Sequence, residues 1–223
     1  MPWGPRSGET PRRGRRDRVM HPPGRTSRGG HDLRDTRVMS EMMTADALLE
    51  ALLDSWDRNH AITVNLLRAV PPDAFELRAA PDSPTIGGLF AHMHYCRLVF
   101  VHEDAPEHAR PVPDGEWRAT ADAAALEAAL HESAAAMRAA VRGRILENRP
   151  FDAHYDHPLL MLQHFIWHEG YHQGQIKIAL KQAGRAFDDE AIGPLTWDVW
   201  MDKADDHRRR LAALGLPPQP PRT

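Results

Sequence analysis

The chain has 223 residues, 28 basic and 31 acidic, for a formal net charge of −3, and 42% of them are apolar. That length suits one ordinary domain with tails and is enough to bury a real core, while the lack of any run of about 18 apolar residues excludes a membrane-spanning helix. Cys96 is the sole cysteine, which excludes an internal disulfide framework and any CxxC zinc or redox site, and 14 histidines make imidazole the chemistry to follow.

Residues 1–40 carry ten Arg, four acids and no Lys, a charge of +6 against −9 for the rest. Rich in Arg, Gly and Pro and without a helical or strand period, this segment cannot bury enough apolar surface to order itself. It reads as a disordered leader, compatible with an over-extended gene start and initiation near Met39, Met42 or Met43. Pro and Gly interrupt the amphipathic helix a transit peptide needs, and no apolar stretch marks a secretory signal. A nucleic-acid arm would turn these arginines on phosphates, but only Trp3 supplies an aromatic among them.

From Thr44 the pattern changes. Leu48, Leu52, Trp56, Thr63, Leu67 and Val70 recur at helical spacing until Pro71-Pro72, which predicts a first helix. Residues 73–82 read as a loop. Ser83-Pro84-Thr85 reads as a cap with Pro in the first turn of a second helix, whose inward stripe is Ile86, Leu89, Phe90, Met93, Arg97 and Phe100. After a Pro-rich loop at 104–116, Thr120 begins an alanine-rich third helix with Leu126, Leu130, Met137, Val141 and Ile145 inward, broken at Asn148-Arg149-Pro150. The fourth opens at Asp156-His157-Pro158, carries Leu162, Phe165, Ile166, Ile176 and Leu180, and stops at Gly184. A shorter helix follows from Thr196 to about Leu214, and residues 215–223 are a Pro-rich tail. Four long amphipathic helices and no strand alternation imply an all-α fold, a helix bundle over residues 41–214.

The fourth helix carries His164, His168 and His172 at steps of four. Each step turns about 40° around the axis, so neighbours share a face and a pair can bind one ion. His92 lies in the inward stripe of the second helix and offers a third ligand, leaving a fourth position open as in a catalytic zinc site. Spacing alone does not choose between the pairs 164/168 and 168/172. His94 points about 200° away from His92. Cys96, one turn beyond His92, could close the site as a fourth ligand, although a buried and inert thiol is the simpler expectation. His168-Glu169-Gly170-Tyr171-His172 also fits HExxH, in which the Glu is the base of a zinc peptidase. The metzincin extension fails at Gln175 and Ile178, and no sheet stands beside the helix. Trp167, Tyr171, Trp197 and Trp200 read as packing residues.

Thr85-Ile86-Gly87-Gly88-Leu89-Phe90-Ala91-His92-Met93, followed by Trp167-His168-Glu169-Gly170-Tyr171-His172-Gln173-Gly174-Gln175-Ile176, resembles the DinB-like (YfiT-type) superfamily over about residues 44–200. The resemblance implies an antiparallel four-helix bundle with long crossover loops and a zinc or nickel ion held by three histidines at one end. Carried over by motif, those ligands are His92, His168 and His172; His164 falls to a neighbouring role and Glu169 has no catalytic assignment. Similar proteins include low-molecular-weight thiol S-transferases and a thiol-dependent isomerase, in which the metal holds a cofactor thiol as thiolate; others have no known activity. The implied function is a metal-dependent enzyme that activates a low-molecular-weight thiol (a transferase) or water (a hydrolase) on a small-molecule substrate. A non-catalytic metal-binding stress protein is the alternative.

Around that centre, Gln175 is positioned to orient a ligand, and Arg97 to hold an anionic cofactor carboxylate. Asn59 and His60 could line the metal mouth, with core or surface roles the simpler expectation. A cytoplasmic protein is expected, with no membrane and no nucleic-acid partner; exposed bundle faces are compatible with a homodimer.

Overall fold

Thr44 caps the first helix by accepting from the Ala47 N–H at 3.2 Å. The computed structural model describes residues 44–118, 122–213 and 215; the leader, the Thr120 helix start, Leu214 and nearly all of the Pro-rich tail lie outside them. Four long helices follow one another: α1 (Ala45–Ala69), α2 (Ile86–Asp104), α3 (Ala123–Leu146) and α4 (Leu159–Gln182). Thr85 caps α2 through the Gly88 N–H at 2.9 Å, so Pro84 stands before the cap and not in the first turn. Asp122 caps α3 through the N–H groups of Ala124 and Ala125. Past α4 the chain reverses at Gly184, whose φ of +72° only glycine adopts without cost. Among the described residues the sole β pairing is an isolated bridge between Arg78 and Thr85. The fold is all-α.

The apolar core divides into two clusters. In one, Leu66 and Leu67 of α1 meet Leu89 and Phe90 of α2, Leu126 and Leu130 of α3, and Ile176 and Leu180 of α4. In the other, Leu53 and Trp56 of α1 meet Leu98 and Val101 of α2, Met137 and Val141 of α3, and Met161 and Phe165 of α4. Each helix gives one half to each cluster, and the polar groups between the halves fall in one layer: Asn59 and Thr63, His92 and Arg97, Ser133, Glu169 and His172, all buried. The histidines therefore stand midway along their helices, between two apolar cores, where the resemblance implies one end of a bundle.

The first helix is turned relative to the sequence reading. Leu49 and Leu53 are buried while Leu48 is 60% exposed. Leu49, Leu53, Trp56, Thr63 and Leu66 make a tighter stripe of threes and fours, which leaves Leu48 and Leu52 on its flank. Trp167, Tyr171, Trp197 and Trp200, expected to pack, are exposed. After Gly184 the chain forms α5 (Asp189–Ile192), a 3-10 turn at Gly193–Leu195, α6 (Trp197–Met201) and α7 (Ala204–Ala213). The single helix expected from Thr196 is split at Asp202, whose extended backbone (φ −77°, ψ 140°) ends α6.

Two buried charges fasten the connections. Arg144 binds Glu107 and Asp152 through its guanidinium and the Pro150 carbonyl at 2.6 Å, joining the α2–α3 connection to the turn after α3. Asp104, fully buried, accepts from the His154 N–H at 2.6 Å and holds the segment before α4 against the end of α2.

Candidate metal centre

One face of α4 and one face of α2 bring three imidazoles together. His168 Nε2 lies 3.1 Å from His92 Nε2 and 3.1 Å from His172 Nε2. The far nitrogens decide the tautomers. The Glu116 carboxylate, which can only accept when ionised, is 2.8 Å from His92 Nδ1. Gln175 donates from Nε2 to the Tyr171 hydroxyl at 3.2 Å, which turns its Oε1 to His172 Nδ1 at 2.7 Å. Both Nδ1 atoms therefore carry the proton, and both Nε2 lone pairs point at His168.

One imidazole proton on His168 cannot serve two lone pairs equally, and its buried Nδ1 has no hydrogen-bond partner among the described residues. A cation between the three Nε2 atoms satisfies all of them. Bonds of about 2.0–2.1 Å in a tetrahedron would place the nitrogens about 3.3 Å apart, which the two separations from His168 approach. Burial, with the neighbouring imidazoles, brings His168 down to about 3. Burial also lowers His92 and His172. All three are neutral at pH 7, as ligands must be.

Around this centre the placements differ in kind. Among the described residues, His92, Cys96 and His168 each have one ligand atom within 4.8 Å of the others; His172 lies outside that group and meets it through His168. Cys96 is half-buried, not buried as expected, and burial pushes its thiol up to about 12. His164 Nδ1 is 2.7 Å from the Tyr155 hydroxyl, and its ring centroid is 6.0 Å from that of His168. Tyr155 has a φ of +60°, a left-handed backbone uncommon for a residue with a side chain. His94 is half-buried on the flank of α2, away from the pair.

Arg97 does not face an anion site. Its Nε and Nη2 donate to the two Glu169 oxygens at 2.6 and 2.7 Å, with neither side chain exposed. Asn59 and Thr63 donate to Glu169 Oε2 at 2.8 and 3.1 Å, which gives Asn59 the core role. Arg97 Nη1 donates to the Leu130 carbonyl at 2.9 Å and approaches His60, which bonds His131 at 2.9 Å. With its carboxylate saturated and fully buried, Glu169 has no route to a water or a peptide. The HExxH reading lacks its base.

Sequence periodicity missed Glu116 and Trp117. They lie in an irregular connection, and the fold alone carries them to His92: the Trp117 ring stacks on the imidazole with centroids 4.0 Å apart and planes 2° apart. The buried Arg97–Glu169 pair was missed as a pair, although its signal was present in two charged residues on otherwise inward faces.

No curated protein and no solved structure matches the chain. The DinB family description matches residues 39–189. That match runs through all four long helices and includes both the α2 histidine and the α4 pair, and on its extent the chain belongs to the DinB family.

Proposed function

We propose that the protein binds one divalent ion, zinc or nickel, on His92, His168 and His172, and uses it to activate a low-molecular-weight thiol for transfer to a small electrophile. The observation that carries this reading is the pair of Nε2 lone pairs turned on His168 Nε2 from 3.1 Å on either side. A bound divalent ion supplies a Lewis acid that keeps a coordinating thiol as thiolate at neutral pH.

The chain's own residues do the rest. Glu116 and Gln175 hold two rings in the ligand tautomer, and Trp117 covers one face of His92. The Arg97–Glu169 pair anchors α2 to α4 beneath them. The two core clusters, each joining one half of every long helix, support an arrangement in which α1 and α2 run antiparallel, as do α3 and α4, with a long crossover from α2 to α3. Residues 41–214 are proposed as this domain.

Elemental analysis of the purified protein, paired with a conjugation screen of cellular thiols against small electrophiles, tests the reading. One equivalent of metal and thiol-dependent turnover, both lost in His168→Ala, is the expected result. Turnover that needs no thiol would assign a hydrolase, and bound metal without turnover on any substrate would assign a metal-binding role alone. A protein that takes up neither zinc nor nickel rejects the centre.

A further inference from the structure

Four large apolar side chains stand exposed along the outer side of α4: Leu160 at 43%, Trp167 at 70%, Tyr171 at 58% and Ile178 at 50%. At about 100° per residue they lie within about 40° of one another around the axis, in a single line about 27 Å long. The line carries no charge. Glu169 is buried on the opposite side against Arg97, and Lys177, about 100° away around the axis, is half-buried. Together the four side chains expose on the order of 400–500 Å² of mostly apolar surface. That is as large as the biggest patch a soluble monomer ordinarily leaves open, and about half of what one partner buries in a standard interface.

The spacing says what fits the line. Its steps of seven, four and seven residues read the same from either end. A second α4 laid antiparallel on the first, with a two-fold axis level with residue 169, sets Leu160 opposite the partner's Ile178 and Trp167 opposite the partner's Tyr171. Each pair then occurs twice, as a two-fold contact requires. Without charge on the line, two copies meet there with no like-charge repulsion. Residues 1–40 suit it poorly, since ten Arg and no apolar period do not match an uncharged stripe.

We propose that the protein is a two-fold dimer in which the α4 helices of two copies pack antiparallel along Leu160, Trp167, Tyr171 and Ile178. The Tyr171 hydroxyl accepts from Gln175 Nε2, and Gln175 Oε1 holds His172. Assembly therefore packs the partner's Trp167 against the ring that steadies Gln175 and, through it, one imidazole of the centre.

Sedimentation velocity of the full, reduced chain across the micromolar range tests this. The wild type is expected to sediment as a dimer. Trp167→Glu, which puts a carboxylate near the middle of the line, is expected to weaken association by more than about 100-fold and to leave helical circular dichroism unchanged. Leu160→Glu and Ile178→Lys are each expected to weaken it, and an equimolar mixture of the two to restore dimers, because the antiparallel register sets the introduced carboxylate opposite the introduced ammonium. A wild type that stays monomeric overturns the proposal; if a chain beginning at Ser40 then dimerises, the leader is what covers the face. A dimer that survives Trp167→Glu overturns it too, as does a mixture that associates no more tightly than either variant alone. Should Trp167→Glu fail to fold, the mixture still decides.

Discussion

Arg97 and Glu169 meet with neither side chain exposed, joined by two hydrogen bonds of 2.6 and 2.7 Å. Removing one partner strands a charge in a layer walled above and below by apolar clusters. Arg97→Ala is therefore expected to destabilise the protein by about 3–5 kcal/mol in urea unfolding. A well-packed apolar replacement of both partners should cost far less, because no lone charge remains. Glu116→Ala is a different kind of change. It removes the carboxylate that fixes the His92 tautomer but sits on a partly exposed connection, so stability should hold while zinc affinity falls about 10–100-fold in a chelator competition. Neither effect follows from residue spacing. Position in the helical period marks Arg97 as inward, but only the neighbouring helix decides whether its partner is a cofactor carboxylate or a glutamate of the chain.

At the scale of elements, α4 combines a ligand face with an unusually bare opposite side. Gly170 and Gly174 lie in its interior, and a Cβ at either would meet nothing within 4 Å. Glycine there costs backbone entropy and returns no contact. Gly170→Ala and Gly174→Ala should each raise stability by about 0.5–1 kcal/mol, read from the denaturation midpoint, with metal uptake unchanged. The existence and order of the four long helices were legible in the sequence because a period near 3.6, interrupted by Pro and Gly, is a local property. The facing of α1 was less so. Leu48, Leu49, Leu52 and Leu53 offer two overlapping stripes, and the choice of Leu49 and Leu53 depends on what the other three helices present. The same holds for Trp167 and Tyr171, whose apolar character suggested burial but whose side of α4 no described element covers fully.

Across the whole molecule, buried neutral histidines tie stability to pH. Burial brings His168 to about 3. Burial and the Arg97 charge hold His60 well below its ordinary range. In the unfolded chain both titrate near 6.5, so below that pH the unfolded state takes up protons that the native state refuses. Their contribution is complete above pH 6.5 and is lost as pH falls toward the native values. The chelator-treated protein should accordingly melt at a lower temperature at pH 5.5 than at pH 7.5. A chain beginning at Ser40 is expected to match the full chain in helical circular dichroism and in metal uptake, since the family match begins at Met39 and both core clusters lie beyond it. By itself the sequence determined an all-α fold, the breaks between its long helices, and a set of histidines spaced to share a helix face, because these depend on residues within a few turns of one another. The tertiary structure decided which imidazoles meet, that Glu116, Trp117 and Cys96 stand beside them, and that Arg97 spends its charge on Glu169. Those contacts join residues far apart in the chain, and no local period encodes the rotation and depth at which two helices pack.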